Sequence, residues 1–232
     1  MTTGTLPPQD ARILIWLCRR LTGDLQAGAS IARALDQAAR DAPPKARPLV
    51  AAIRKRVAAG GRVSEQLADL RLPSWVWGAV RHGEARGDLA CALEPLAAEI
   101  EFEQATPAPS NRQLYQYSLA FRRMGMLLTV GVPILEALEA AAESVDDRDV
   151  SRSACAVRKA VLDGGAVSDA LAGEAPNLPP MTIEMIRDAE SDGRLDQALP
   201  VVADYLLEAA SEKPTRRHRP PNQRANKEVS NA

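Results

Sequence analysis

Two histidines, three cysteines and a repeated glutamate are the residues of this chain whose types could do chemistry. A Cys–His pair could form an activated nucleophile, and clustered thiols or imidazoles could hold a metal. Cys18, Cys91 and Cys155 are odd in number, far apart and without ligand spacing. They read as buried free thiols in a reducing compartment, with no disulfide framework. There is no phosphate-cradling glycine loop, no Gly-x-Ser-x-Gly, no paired histidine ligands and no supported Cys–His arrangement. The expectation is a protein that is not an enzyme and has no catalytic residue, no cofactor and no metal.

The glutamates are different, because the sequence writes their surroundings twice. Gly83-Glu84-Ala85-Arg86-Gly87-Asp88-Leu89 is echoed 106 positions on by Ala189-Glu190-Ser191-Asp192-Gly193-Arg194-Leu195. In each copy a Glu precedes a Gly by three residues, and a Leu then opens an apolar series. The series are Leu89, Leu93, Leu96, Ile100 and Leu195, Leu199, Val202, Leu206, the stripe of a helix with one buried face. Glu84 and Glu190 could meet a partner's Arg or help hold a cation. The favoured reading is structural: each carboxylate satisfies backbone or an Arg one turn earlier (Arg81, Arg187), while Gly87 and Gly193 reverse the chain. Two lone acids rarely make a metal site.

Elements must position these turns, and read outward the chain is one helical unit written twice. A helix from about Ala11 to Ala27 stops at Gly28, and its counterpart from about Leu114 to Val130 stops at Gly131. Arg19-Arg20 then matches Arg122-Arg123, and Ile31, Leu35, Ala38 match Ile134, Leu138, Ala141. A third helix ends at Gly60-Gly61 and at Gly164-Gly165, where Gly61 and Gly165 read as turn glycines. A short helix follows, with Ser64 and Ser168 as N-caps and Glu65 and Asp169 suited to its dipole. Leu72-Pro73 and Leu178-Pro179 open the fifth helix, and the sixth carries the stripe. His82 has no histidine counterpart in the second copy, and His218 falls in a basic tail.

Composition agrees with this reading. The chain is 46% hydrophobic and 25% charged with net charge −1, which describes a globular protein with no global field towards nucleic acid or membrane. Aromatics at 3% and scarce β-branched runs favour helix. The fold class is therefore all-α: two tandem antiparallel helical bundles of about six helices each. The boundaries read as a flexible N-terminus (1–10), a first copy (11–102), a linker (103–113), a second copy (114–209) and a disordered basic tail (210–232). Residues 1–10 lack the features of a signal peptide. The longest apolar run, Met124–Leu135, is about 12 residues and holds Gly131 and Pro133, short of the ~20 that a span requires.

Taken together, these residues resemble the type II secretion system F domain of the inner-membrane platform proteins of type II secretion and type IV pilus assembly. The resemblance is carried by Gly131 and Val-Pro-Ile-Leu-Glu-Ala-Leu after it, by Gly164-Gly165 with Val167-Ser168-Asp169-Ala170-Leu171, and by Leu178-Pro179-Pro180. Ala189-Glu190, Gly193 and Leu195-Asp196-Gln197-Ala198-Leu199 complete it. The first copy is looser, with Gly23-Asp24-Leu25-Gln26 where the family is usually apolar. The resemblance implies compact cytoplasmic bundles that act by binding proteins. It departs where the family places transmembrane helices, since a short Pro-containing linker stands between the copies. What it implies is therefore a non-catalytic component of a secretion or pilus assembly. It would be cytoplasmic or peripheral at the inner membrane, docking to the assembly ATPase or the platform from the cytoplasmic side. A repurposed scaffold or dimerisation module is the alternative, and a homodimer stays open.

Three further sets of residues bear on partners. Trp75 and Trp77 are two apart, so on a helix they point about 200° from each other; one could anchor a partner, or both could be buried between bundles. Arg19-Arg20, Arg54-Lys55 and their copies read as solvated faces, and no nucleic-acid partner is expected from an acidic folded part. Arg216, Arg217 and Arg219 could tether the tail to anionic lipid, each contributing ~1 kcal/mol; a tail without a target is the competing reading.

Overall fold

Alanine, leucine and the long charged residues dominate every segment between the glycine and proline signals, so each segment winds into helix and the breakers become corners. The computed structural model describes residues 6–70, 72–107 and 109–212, and among them are twelve α-helices and no strand. The first six are α1 (Pro8–Gln26), α2 (Ile31–Asp41), α3 (Arg47–Ala58), α4 (Val63–Asp69), α5 (Ser74–Arg86) and α6 (Leu89–Ala105). The second six are α7 (Arg112–Thr129), α8 (Ile134–Glu143), α9 (Arg148–Leu162), α10 (Val167–Glu174), α11 (Pro180–Ser191) and α12 (Leu195–Ser211). The all-α fold of two bundles is what the repeat predicts.

In each bundle the first and last helices lie against one another, α1 on α6 and α7 on α12, and the shorter helices pack on their neighbours in sequence. The stripes face inward: Leu93, Leu96 and Ile100 are buried in α6, and Leu199, Val202 and Leu206 in α12. One close approach is made by a small residue. A Cβ added to Gly125 would lie 2.7 Å from Pro200 Cδ, so only glycine lets α7 close on the proline ring of α12. No helix of the described residues is long and apolar enough to cross a membrane.

The structure differs from the sequence expectations at several places. Helix α1 starts at Pro8, inside the stretch expected to be loose, because Pro at the first turn loses no hydrogen bond and Leu6 ahead of it is buried. The carbonyl of Leu6 accepts from Gln104 Nε2 at 3.2 Å. Helix α6 continues to Ala105, so Glu103 belongs to a helix, where it is buried, and not to a solvated linker. At the two glycine pairs the left-handed residue is the first, Gly60 (φ 83°) and Gly164 (φ 89°). Gly61 and Gly165 are needed for space: an added Cβ would sit 2.5 Å from Arg56 Cδ and 3.0 Å from the Ala160 carbonyl oxygen. Of the cysteines only Cys18 is buried; Cys91 and Cys155 are exposed free thiols.

Leu199 is wholly buried, so Leu199→Ala is expected to lower unfolding free energy by ~2–5 kcal/mol. Urea titration followed by circular dichroism checks this, and a loss well under ~1 kcal/mol would contradict the assigned core.

Candidate functional site

Both repeated glutamates do the same thing, and they do it at long range. Helices α4 and α10 begin with two backbone N–H groups that have no partner in their own helix. Glu84 reaches them from the last turn of α5: its Oε1 accepts from Val63 N at 2.6 Å, and its Oε2 from Ser64 N at 3.2 Å and Ser64 Oγ at 2.5 Å. Glu190 in α11 repeats this with Val167 N at 2.6 Å, Ser168 N at 3.0 Å and Ser168 Oγ at 2.7 Å. A carboxylate here both satisfies the amides and sits at the positive end of the helix dipole. Ser64 and Ser168 are therefore not N-caps. They lie inside the first turn and donate to a cap supplied some twenty residues away.

Gly87 and Gly193 place those carboxylates. Each follows its Glu by three residues and takes a left-handed φ, 74° and 68°, which L side chains rarely adopt. Each N–H donates back to the carbonyl of the Glu, at 3.1 and 3.2 Å. Arg81 and Arg187 bond elsewhere: Arg81 Nη2 donates to Glu136 Oε2 at 2.6 Å, and Arg187 donates to Glu184 and Asp169. A groove of about 520 Å³ opens beside the first turn, lined by Leu25, Ile31, Val57, Glu84, Asp88 and Leu89 among others.

The second feature is the seam between the bundles. Arg123, expected on a solvated face, has no solvent exposure. Its Nη2 lies 2.7 Å from Glu103 Oε1 and its Nε lies 3.9 Å from Glu99 Oε1, both on α6. Its Nη1 donates to the Ser144 carbonyl. Its guanidinium lies 4.6 Å from the centre of the Trp75 ring. Pairing with the Glu103 carboxylate is what makes this tolerable, since an unpaired cation there would cost several kcal/mol. Burial pushes the Glu99 carboxyl up to about 7, against the opposing pull of Arg123 and Arg122. Next to it Arg122 stacks on Phe102 at 3.7 Å and pairs with Asp204. Sequence reading missed this cluster. Its only signal was two acids four apart, Glu99 and Glu103, on a helix otherwise apolar on that side.

The two tryptophans separate as their spacing requires. Trp75 is fully buried under Arg123, and Trp77 is half-buried at the lip of a groove of about 260 Å³ between α5 and α8. There Arg81 lies 5.2 Å over the Trp77 ring, and Glu136, Glu139 and Glu143 line the opposite wall. Gly28 and Gly131 both take left-handed φ at helix ends, and Arg86 from α5 crosses the Gly131 turn. The expected tether residues Arg216, Arg217 and Arg219 lie outside the described residues.

Two stretches of the chain, residues 17–110 and 120–217, match the family model described as Type II secretion system (T2SS), protein F. Over 84 residues the sequence is 33% identical to the Type IV pilus assembly protein PilC of Myxococcus xanthus (strain DK1622). That similarity covers 36% of this chain and 20% of the relative, about a fifth of its length.

The cap and the seam generate two expectations. Glu190→Ala strips three hydrogen bonds from a charged acceptor, so a loss on the order of 2–3 kcal/mol in unfolding free energy is expected; a neutral result in a thermal melt would contradict the capping role. Glu99 binds its proton more tightly folded than unfolded, its pKa rising from 4.5 to about 7. The stability it contributes is complete below the unfolded value and is lost as pH rises through the folded one. Wild type should therefore lose on the order of 3 kcal/mol between about pH 4.5 and about pH 7.5 relative to Glu99→Gln, read from urea midpoints. Parallel pH curves for the two proteins would contradict it.

Proposed function

The chain belongs to the type II secretion system protein F family, and from that premise we propose that it is a non-catalytic, protein-binding component of a secretion or pilus assembly. In this reading it docks to the assembly ATPase or the inner-membrane platform from the cytoplasmic side. The observation that carries the reading is that the family match runs through both bundles, 17–110 and 120–217. The relative named as a pilus assembly protein points to the same class of machine.

A rigid double bundle suits such a role, because a docking surface must keep its shape while a partner is bound. Of the family-motif residues, Glu84, Gly87, Glu190 and Gly193 serve by holding α4 and α10 in place behind that surface. Trp77 supplies the contact: it has ring surface to offer, and interface hot spots are enriched in Trp. With Glu136, Glu139 and Glu143 opposite, the groove suits a partner segment that brings a cation beside an apolar side chain. The tail residues Arg216, Arg217 and Arg219 hold the protein peripherally to anionic lipid in the same scheme.

A tagged pull-down from the native cell at low salt, read by mass spectrometry, tests this. Wild type is expected to recover the assembly ATPase or a platform protein, and Trp77→Ala to recover it at least ~10-fold less well. A chain lacking residues 213–232 should lose membrane proteins while keeping the ATPase. Recovery of neither from wild type would contradict the secretion role and favour a repurposed scaffold.

A further inference from the structure

The two bundles share a sequence pattern but not an environment, and the difference exposes a face. In the first bundle, Trp75 of α5 and Glu99 of α6 converge on Arg123 of α7; this is the face on which the second bundle sits. At the repeat offset of 106 set by Glu84 and Glu190, the counterparts of Trp75 and Glu99 are Met181 and Tyr205. Among the described residues both stay open to solvent. Met181 is 59% exposed, Tyr205 38% and Val201, one turn before Tyr205, 56%. Three of the five large apolar residues left exposed among the described residues thus lie on the copy of a face already used as an interface.

The occupant of that face cannot be a helix like α7. Tyr205 and Ala209 stand where Glu99 and Glu103 stand, so no acid awaits a buried cation. This excludes head-to-tail stacking of the first bundle of another copy, because Arg20 occupies the position of Arg123 and would be buried unpaired.

Charge along α12 names the occupant instead. Arg194, Val201, Tyr205, Glu208 and Glu212 follow spacings of seven, four, three and four, so they share one side of the helix. The cation is at the N-terminal end and the acids are at the C-terminal end, the wrong way round for the dipole of α12 itself. The Arg194 side chain is 65% exposed, and its ion-pair partner among the described residues is Asp192, at 3.9 Å. Placed antiparallel against its own image, the helix sets Arg194 opposite Glu208 and Glu212 at both ends and closes the apolar middle on itself. Placed parallel, it sets like charges together.

We infer that this face, centred on Val201 and Tyr205 with Met181 beside them, binds a second copy of the chain through a two-fold antiparallel α12–α12 contact. Such an interface is isologous and closes at a dimer. It is independent of the docking role proposed above.

Sedimentation equilibrium of the full chain from micromolar towards millimolar concentration tests it. A monomer–dimer equilibrium is expected, with Tyr205→Glu monomeric throughout and its melting temperature unchanged at concentrations where wild type is monomeric. Arg194→Glu should weaken the dimer by ~10-fold or more, and adding Glu208→Arg and Glu212→Arg should restore it. A wild type that stays monomeric would overturn the inference. So would a dimer that survives Tyr205→Glu, or one that Arg194→Glu tightens, as a parallel contact requires.

Discussion

A guanidinium with no access to water sits where the two bundles meet, and much of the molecule is arranged around keeping it there. Arg123 gives up its hydration and receives the Glu99 and Glu103 carboxylates, the Ser144 carbonyl and the face of Trp75 in return. Exchanging such a cluster for apolar residues can be neutral, but breaking it by removing one partner is strongly unfavourable. Its consequence is geometric more than energetic. Ser144 at the end of α8 fixes the guanidinium within its own bundle while α5 and α6 hold it from the other, so the second bundle has one orientation on the first. That orientation buries Trp75, leaves Trp77 at the lip of a groove with Arg81 and Glu136, and brings Arg86 across the turn at Gly131.

Inside each bundle a second device carries the local burden. A seven- or eight-residue helix is too short to persist alone, and α4 and α10 have lengths of that order. Their first amides are held by carboxylates from α5 and α11, which are themselves aimed by left-handed glycines. Cap, turn and stripe thus form one unit: Gly87 sets Glu84, Glu84 starts α4, and Leu89 begins the helix that closes the core. The unit recurs at Gly193, Glu190, α10 and Leu195 with hydrogen bonds of nearly the same lengths.

That recurrence is why so much was legible from residues alone. Periodic Leu and Val, paired with Gly at fixed distances, specify helices and corners whatever surrounds them, so the twelve helices and the identity of the core helices follow directly. The role of the glutamates was legible only in outline, since a carboxylate twenty residues from its amides leaves no local pattern. The seam was not legible, for a physical reason. Arg20 and Arg123 are the same residue in the same repeat position, but Arg20 pairs with Asp24 and Asp41 at the surface while Arg123 is sealed. Which copy of a repeated residue is buried depends on how the copies pack, and that is a tertiary fact. The open face at Met181 and Tyr205 is the other half of the same asymmetry.

The buried Arg123 locks the two bundles together. Cys91 on α6 and Cys155 on α9 are exposed, one in each bundle, while burial pushes the Cys18 thiol up to about 12 and keeps it unreactive. Spin labels on Cys91 and Cys155 would report the separation of the bundles by pulsed electron resonance. A single narrow distance is expected in wild type, broadening in Arg123→Gln while helical circular dichroism is retained. A broad distribution in wild type, or a narrow one that survives the substitution, would contradict it.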